Sequence, residues 1–253
     1  MNTSFADIEK KENRKDLIIS ICVFLSGFSC FAQLYYFQPL LPDLAKDFIL
    51  SASESSFAIS FSTLGMVFGL FTTMFVADRI PRKKMIGTGL LSSSIFSVAA
   101  SFSPTFLPLI LLSAAKGFLL SGATSVSMAY IAEEVSSRNK GKIMGLYIAG
   151  NALGGMAGRV ISSWIGALYT WRIASVSIGL ICALFAILFL LFSPRSTNFM
   201  PRKESFHTLI IANLQLITSK ALIPFYLTGG LILGVFVSLY NYLGFYLTKA
   251  PFN

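Results

Sequence analysis

Charged residues are scarce in this sequence. Lysine, arginine, aspartate and glutamate together make up 12% of the 253 residues, whereas a soluble domain carries about 25%. Hydrophobic residues make up 55%, and the mean hydropathy is +0.72. Because the few charges also cluster between long apolar segments, the composition excludes a soluble globular domain.

Cysteine and histidine are also scarce. Cys22, Cys30 and Cys182 fall inside apolar segments, where we interpret them as apolar packing residues without disulfide or metal-ligand spacing. The single histidine, His207, lies in a polar connection, where a lone histidine is more often structural than a proton switch. The sequence contains no nucleophile–base pair, metal cluster or phosphate-binding loop, so we predict a protein that is not an enzyme and has no metal or other cofactor.

Seven apolar segments meet or approach the length needed to cross a bilayer, whose hydrocarbon core of about 30 Å takes roughly 20 residues of helix. They cover residues 17–38, 56–77, 85–103, 106–131, 143–167, 173–193 and 221–247. The ten-residue alternation of a transmembrane β-barrel is absent from the sequence. The pattern therefore predicts an all-α, polytopic membrane protein.

The basic residues are distributed unequally between the two sides of the predicted membrane. If the N-terminus is cytoplasmic, 15 of the 20 lysines and arginines lie in cytoplasmic segments, and three lie on the opposite side. The remaining two, Lys116 and Arg159, lie inside helices. This positive-inside pattern explains the net charge of +9 without a nucleic-acid partner. We predict a multi-pass protein of the cell (inner) membrane with a cytoplasmic N-terminus, in contact with the lipid bilayer.

The connections divide the chain into four parts. Residues 1–16 form a cytoplasmic tail, 17–193 a six-helix transmembrane bundle, 194–220 a cytoplasmic loop, and 221–253 a seventh transmembrane helix with a short external tail. Within the loop, residues 205–219 carry apolar side chains at helical spacing. They predict either an amphipathic helix on the inner membrane surface or a short linker helix packed on the bundle.

A short loop after the second predicted helix combines one acid with four bases. It reads Ala77-Asp78-Arg79-Ile80-Pro81-Arg82-Lys83-Lys84, and such a cluster between two apolar segments indicates a cytoplasmic boundary. The loop resembles the signature loop of the major facilitator superfamily, in the twelve-helix branch that includes drug/proton antiporters. Its acid and bases match that pattern, whereas Met74 and Pro81 replace its two glycines.

Three further segments carry the same resemblance. They are Gly117–Glu134 in the fourth helix, Gly145–Arg159 in the fifth and Tyr240–Gly244 in the seventh. The resemblance implies a six-helix N-terminal half built as a 3+3 inverted repeat, followed by the first helix of a second half, in a chain truncated after its seventh helix. It also implies a secondary, alternating-access carrier of a small-molecule substrate that works by efflux or proton coupling.

In the family, the signature loop gates transport through a charge relay that holds the two halves in one state. The resemblance assigns this gating loop to four residues here, Asp78, Arg79, Arg82 and Lys83.

The fifth predicted helix carries two patterns with a four-residue period. Gly150, Gly154 and Gly158 predict a ridge on which a neighbouring helix packs closely, and we assign the adjacent Gly155 to helix packing as well. Arg159 shares a neighbouring face with Asn151 and Gly155. Because an arginine in lipid costs at least about 2.5–3.5 kcal/mol, we expect Arg159 to face the bundle interior or a water-filled cavity. The alternative is an arginine that snorkels to the outer surface.

Polar residues on four helices are predicted to line a central substrate cavity. They are Gln33 and Tyr36 on the first helix, Lys116 on the fourth, Asn151 and Arg159 on the fifth, and Asn241 on the seventh. Two intramembrane bases without an intramembrane acid predict an electropositive cavity that favours an anionic substrate. Ordinary hydrogen bonding between helices is the alternative role for the small polar residues.

Two functional hypotheses stay open at this point. In the first, the chain is the N-terminal part of a carrier whose cavity is completed by a missing C-terminal half or a second copy. In the second, it is a truncated, non-transporting membrane remnant or one part of a split transporter. Transport by the 253-residue chain alone would overturn the remnant hypothesis.

Overall fold

A computed structural model describes residues 5–201 and 206–247 as an assembly of helices joined by short connections. The helices are α1 (Phe5–Tyr35), α2 (Leu41–Asp47), α3 (Ala52–Ser55), α4 (Phe57–Val76), α5 (Arg82–Ser101), α6 (Phe106–Glu134), α7 (Lys140–Leu168), α8 (Trp171–Phe192), α9 (Phe206–Ile217) and α10 (Ile223–Leu247). Single 3-10 turns lie at Gln38–Leu40 and Ala77–Arg79. The all-α prediction is confirmed, and the predicted external tail beyond Leu247 lies outside the described residues.

The long helices α1, α4–α8 and α10 coincide with the seven apolar segments of the sequence. In the described part of the chain, five segments are long and apolar enough to cross a membrane. Helices α5 and α7 are not among them, since α5 opens with three basic residues and α7 combines charged residues with many glycines. Seven spans therefore remain a prediction.

Local sequence explains where several helices begin and end. Proline at the first positions of the turn Gln38–Leu40 and of α2 lacks the N–H that would continue α1. Ser51 and Glu54 form a reciprocal capping box at the start of α3. The Thr170 side chain accepts a hydrogen bond from the backbone N–H of Ile173 and so caps α8.

Helix α1 extends into the region predicted as a cytoplasmic tail, because residues 5–16 are helical. The end of this polar segment forms hydrogen bonds and an ion pair with residues at and just after the end of α6. The buried Asp16 accepts hydrogen bonds from Ser136 Oγ at 2.5 Å and from Asn139 Nδ2 at 2.8 Å. The Lys15 ammonium pairs with the Glu134 carboxylate at 2.8 Å. These contacts fix the start of α1 against the end of α6.

Helices α1 and α4–α8 pack into one bundle with two apolar interior clusters. One cluster surrounds Ile19, Ile86 and Tyr130 near the helix ends that are predicted to be cytoplasmic. The other surrounds Tyr36 and Leu109 near the opposite ends. Helix α1 packs along α7, α6 packs along α4 and α5, and α5 packs along α8. The bundle interior therefore runs the full length of the helices.

The α1–α7 contact has an equivalent in the α4–α6 contact. If α1, α4 and α5 are exchanged for α6, α7 and α8, respectively, the α1–α7 pair becomes the α6–α4 pair. Both pairs approach through glycine: a Cβ on Gly154 would overlap the Phe28 backbone, and a Cβ on Gly117 would overlap the Ser62 backbone. An inverted repeat requires such an equivalence, but the 3+3 repeat itself remains a prediction.

The last two helices lie at the edge of the bundle. Helix α9 occupies the connection in which a helix was predicted, and its Ile217 lines a groove with residues of α4. The backbone of His207 belongs to α9, and its side chain lies outside the described part. Helix α10 contacts the turn Gln38–Leu40 and α2. Whether α9 lies on the membrane surface stays a prediction.

Candidate functional site

Arg159 lies half-buried on the face of α7 that is turned towards α10. Its Nη1 donates to the carbonyl oxygen of Gly155 at 2.7 Å, and its Nε donates to Gln38 Oε1 at 2.5 Å. Its Nη2 is enclosed and has no hydrogen-bond partner among the described residues. An enclosed guanidinium N–H without a partner is costly, so this nitrogen is a candidate donor to a ligand.

Three aromatic rings surround the guanidinium of Arg159. Its Cζ lies 4.5 Å from the ring centroids of Tyr35 and Tyr240 and 5.6 Å from that of Phe236. Such cation–π contacts are worth about 2 kcal/mol or more when desolvated. Within the described ranges, no salt bridge neutralises Arg159. The positive charge is therefore held by rings and dipoles, which leaves it available to an anion.

Gln38 connects Arg159 to Asn241. Its Oε1 accepts from Arg159, and its Nε2 donates to Asn241 Oδ1 at 3.0 Å. The structure thus brings together two residues that were predicted for the substrate cavity, through a third that sequence reasoning missed. The available signal was a glutamine that interrupts apolar residues directly before Pro39.

Two open grooves flank Arg159 and share the ring of Tyr240. A groove of about 810 Å³ runs towards the connection between α1 and α4 and is also lined by Gln38 and Asp43. A groove of about 580 Å³ runs along α7. It is lined by Asn151, Gly155 and Arg159, the three residues predicted to share one face, together with apolar side chains of α1 and α10. Arg159 thus lies where the two grooves meet.

Gln33, Tyr36 and Lys116 lie elsewhere, enclosed inside the six-helix bundle. They are 0%, 0% and 1% exposed, and they line neither groove. Lys116 Nζ lies 4.5 Å from the ring centroid of Tyr36 and 5.0 Å from that of Phe37. It has no hydrogen-bond partner in the described part of the chain. The structure therefore separates the predicted cavity residues into two groups, and a substrate role for the enclosed group stays a prediction.

The predicted glycine ridge of α7 faces α1. A Cβ on Gly150 would lie 2.6 Å from the carbonyl oxygen of Phe24, and a Cβ on Gly158 would lie 2.7 Å from Ala32 Cα. Real Cβ atoms essentially never approach other atoms so closely. Gly155 lies beside this ridge, where a Cβ would be in ordinary contact with Tyr35 at 3.7 Å and tighter contact with Arg159 Nη1 at 3.3 Å.

Arg82 organises the predicted gating loop. Its Nη2 donates to Asp78 Oδ1 at 2.8 Å and to Glu133 Oε1 at 3.0 Å, and its Nη1 donates to the Ala77 carbonyl oxygen at 2.7 Å. Its Cζ also lies 4.9 Å from the ring centroid of Phe199. Burial disfavours the charge, but hydrogen bonding and attraction by Glu133 and Asp78 outweigh burial and raise the pKa of Arg82 above its ordinary value.

The other two residues of the gating loop have different environments. Arg79 is exposed. Lys83 donates through Nζ to the Ser193 carbonyl oxygen at 2.5 Å and through its backbone N–H to Ser196 Oγ at 2.9 Å. Sequence reasoning missed Glu133 as the partner of Arg82, although its position at the end of the fourth predicted helix was a usable signal. The gating role of all four loop residues stays a prediction.

Glu134, at the end of α6, binds both the first part of α1 and the connection after α8. Its fully buried side chain accepts hydrogen bonds from Lys15 Nζ at 2.8 Å, Thr197 Oγ1 at 2.9 Å and the Asn198 backbone N–H at 2.7 Å. Three donors satisfy a buried carboxylate. The connection thereby crosses the helix ends beside Arg82, close to the gating loop.

Two relatives resemble this chain along most of its length. An "Uncharacterized transporter" of Buchnera aphidicola subsp. Schizaphis graminum (strain Sg) is 35% identical over 245 residues, which are 97% of this chain and 59% of the relative. The "Inner membrane transport protein YnfM" of Escherichia coli (strain K12) is 35% identical over 236 residues, 93% of this chain and 56% of the relative. The chain therefore spans less than two thirds of the length of these relatives.

The fold and the family agree. The crystal structure of a bacterial homologue of the human lysosomal transporter Spinster, in an inward-facing and unoccupied conformation, has a TM-score of 0.77 at 14% identity and covers 94% of this chain and 57% of that chain. At this identity the likeness shows the fold alone. The family model described as "Major Facilitator Superfamily" matches residues 20–252. This chain, a multi-pass helical membrane protein, belongs to the major facilitator superfamily.

Proposed function

We propose that this chain forms the N-terminal half, and the first helix of the second half, of a secondary transporter of the inner membrane. The protein carries a small-molecule substrate by alternating access and is not an enzyme. Family membership and the names of the relatives support transport. The excess of basic residues in the connections assigned to the cytoplasm supports a cytoplasmic N-terminus.

The groove around Arg159 is the observation that carries a substrate site. A cation within a membrane helix is expensive to maintain, and such residues commonly mark substrate or ion pathways. Arg159 has one enclosed N–H group without a protein partner, and it borders both grooves. We propose that an anionic group of the substrate binds this nitrogen, while Asn151 and Asn241 contribute polar contacts.

The exposed surface of α10 supports a second part of the proposal, which concerns partners. Leu231, Ile232 and Val235 are each more than 60% exposed on this helix. The remaining helices of a second half, or a second copy of the chain, would cover such apolar surface and complete the substrate cavity.

Transport in proteoliposomes tests the proposal directly. The chain is reconstituted alone and as a fusion to the rest of a second half, and uptake of radiolabelled benzoate, succinate, choline and xylose is measured. We expect one of the two anions to be carried. Arg159→Ala should lower its uptake about 10- to 100-fold, since a hydrogen bond to a charged group is worth about 1.5–3 kcal/mol. Arg159→Lys should retain part of the activity.

Leu153→Ala is the matched control, because Leu153 lies on the same helix, is 44% exposed and lines neither groove. It should leave uptake unchanged. Undiminished uptake by Arg159→Ala would contradict the substrate role of Arg159. Uptake of choline without either anion would contradict the anionic class while leaving the carrier function in place.

A further inference from the structure

Asp43 lines the same groove of about 810 Å³ as Arg159. It lies in the first turn of α2 and is half-buried. No salt bridge within the described ranges involves its carboxylate. The exposed Lys46 is near enough for its charge to act on Asp43, but the two form no ion pair. One groove therefore holds an acid and a base, and neither has a counter-ion among the described residues.

Helix α7 sets the spacing of these two charges. A Cβ built on Gly166 would lie 3.9 Å from Asp43 Oδ2. Because Gly166 follows Arg159 by almost two full turns, both lie on one face of α7, about 10 Å apart along its axis. The guanidinium turns back towards Gly155, whose carbonyl oxygen it binds, and so points away from Asp43. The two charges are therefore too distant to neutralise each other directly.

Apolar side chains make up most of the remaining wall of this groove. Leu40, Val160 and Leu243 are among them, and Ser163 contributes one hydroxyl group. Methylene groups of a ligand gain free energy when such a wall removes them from water. The groove thus suits a ligand that has an apolar middle and opposite charges at its two ends.

We infer that this groove binds a zwitterionic ω-amino carboxylate, whose carboxylate contacts Arg159 and whose ammonium contacts Asp43. The inference rests on the proposed function and specifies its substrate class. Hydrogen bonds between charged groups are about 2.8 Å long, so the ligand must carry its own charges roughly 4–7 Å apart. An α-amino acid, with charges about 2.5 Å apart, cannot reach both side chains, whereas δ-aminovalerate spans about 6 Å when extended.

Ligand binding distinguishes this class from a simple anion without a transport assay. The chain is placed in lipid nanodiscs, and saturation-transfer NMR gives dissociation constants for δ-aminovalerate, valerate and glycine, with empty nanodiscs as the background. We expect δ-aminovalerate to bind about 10-fold more tightly than valerate, the lower end for a hydrogen bond between charged groups, because the groove is open. Glycine should bind at least about 10-fold more weakly than δ-aminovalerate, since it reaches only one of the two charges.

Substitutions of Asp43 test the ammonium end of the site. Asp43→Asn should abolish the preference for δ-aminovalerate over valerate. Asp43→Lys should reverse the sign of the preferred group, so that glutarate, a dicarboxylate of the same chain length, binds most tightly. Asp47→Asn is the matched control, because Asp47 also belongs to α2 but lines neither groove. It removes the same charge and should keep the preference of the parent.

Three results would overturn the zwitterionic class. They are equal affinity of the parent for δ-aminovalerate and valerate, an unchanged preference in Asp43→Asn, and the absence of binding by any of these compounds. If the two affinities are equal but both are lost in Arg159→Ala, the anion site of the proposed function stands while the ammonium contact fails. If nothing binds, the uptake assay with benzoate and succinate decides the proposed function separately.

Discussion

The contact between α1 and α7 provides a sharp quantitative prediction, because backbone meets backbone at Gly154. A Cβ built there would lie 2.5 Å from Phe28 Cα, whereas ordinary contacts of a Cβ begin at 3.4 Å. Gly154→Ala therefore forces the two helices apart by about 1 Å, in an interior that is packed as densely as an organic crystal. Inserting a methyl group into such packing costs about 1–3 kcal/mol.

Gly145→Ala on the same helix isolates this steric cost. A Cβ at Gly145 would meet nothing within 4 Å. Replacing a helical glycine with alanine favours the helix by about 0.8–1.0 kcal/mol at either position, so this contribution cancels in the difference between the two variants. We expect Gly154→Ala to be less stable than Gly145→Ala by about 2 kcal/mol.

The free energy of unfolding can be measured by titrating sodium dodecyl sulfate into detergent-solubilised protein. Tryptophan fluorescence reports the transition, since Trp171 is buried against the rings of Phe37 and Phe48. A difference below about 0.5 kcal/mol, the scatter of surface substitutions, would refute the close approach of α1 and α7.

Two further predictions concern Arg82 and Glu134. Arg82→Ala removes the cation of a part-buried ion-pair cluster, in which Asp78 and Glu133 are 46% and 25% exposed, and should lower the free energy of unfolding by about 1–2 kcal/mol. Arg79→Ala, at an exposed position, should change it by less than about 0.5 kcal/mol, and equal effects in the same titration would contradict the assignment. Glu134→Gln should loosen the connection after α8 and speed tryptic cleavage at the exposed Arg195 about fivefold. The exposed control Glu12→Gln should not change the cleavage rate, and equal rates in the two variants would contradict this role of Glu134.

Most of the helical architecture follows from the sequence, because apolar length is a strong physical constraint in a membrane. The largest difference is at the start of α1, which begins at Phe5 rather than near residue 17. Its polar residues would be solvated if isolated. In the structure this segment is helical, and Asp16 at its end accepts hydrogen bonds from residues 136 and 139. Contacts between residues so distant in sequence produce no periodic pattern within the segment itself.

The candidate site was predictable in part. The four-residue period placed Asn151, Gly155 and Arg159 in one groove, since helical geometry alone determines a shared face. The same reasoning does not show what lies opposite that face. Gln38, which holds Arg159, comes from a turn 121 residues earlier, and the enclosure of Lys116 depends on the rings of Tyr36 and Phe37.

The buried carboxylate of Glu134 has a consequence for biosynthesis. It lies at the end of α6, but its donors Thr197 and Asn198 follow 63 and 64 residues later in the chain. At a synthesis rate of about 5–20 residues per second, the carboxylate waits roughly 3–13 s for these partners. During that interval α7 and α8 are synthesised, and the end of α6 stays open to chaperones and proteases. Only after Asn198 has emerged from the ribosome can this side of the bundle close.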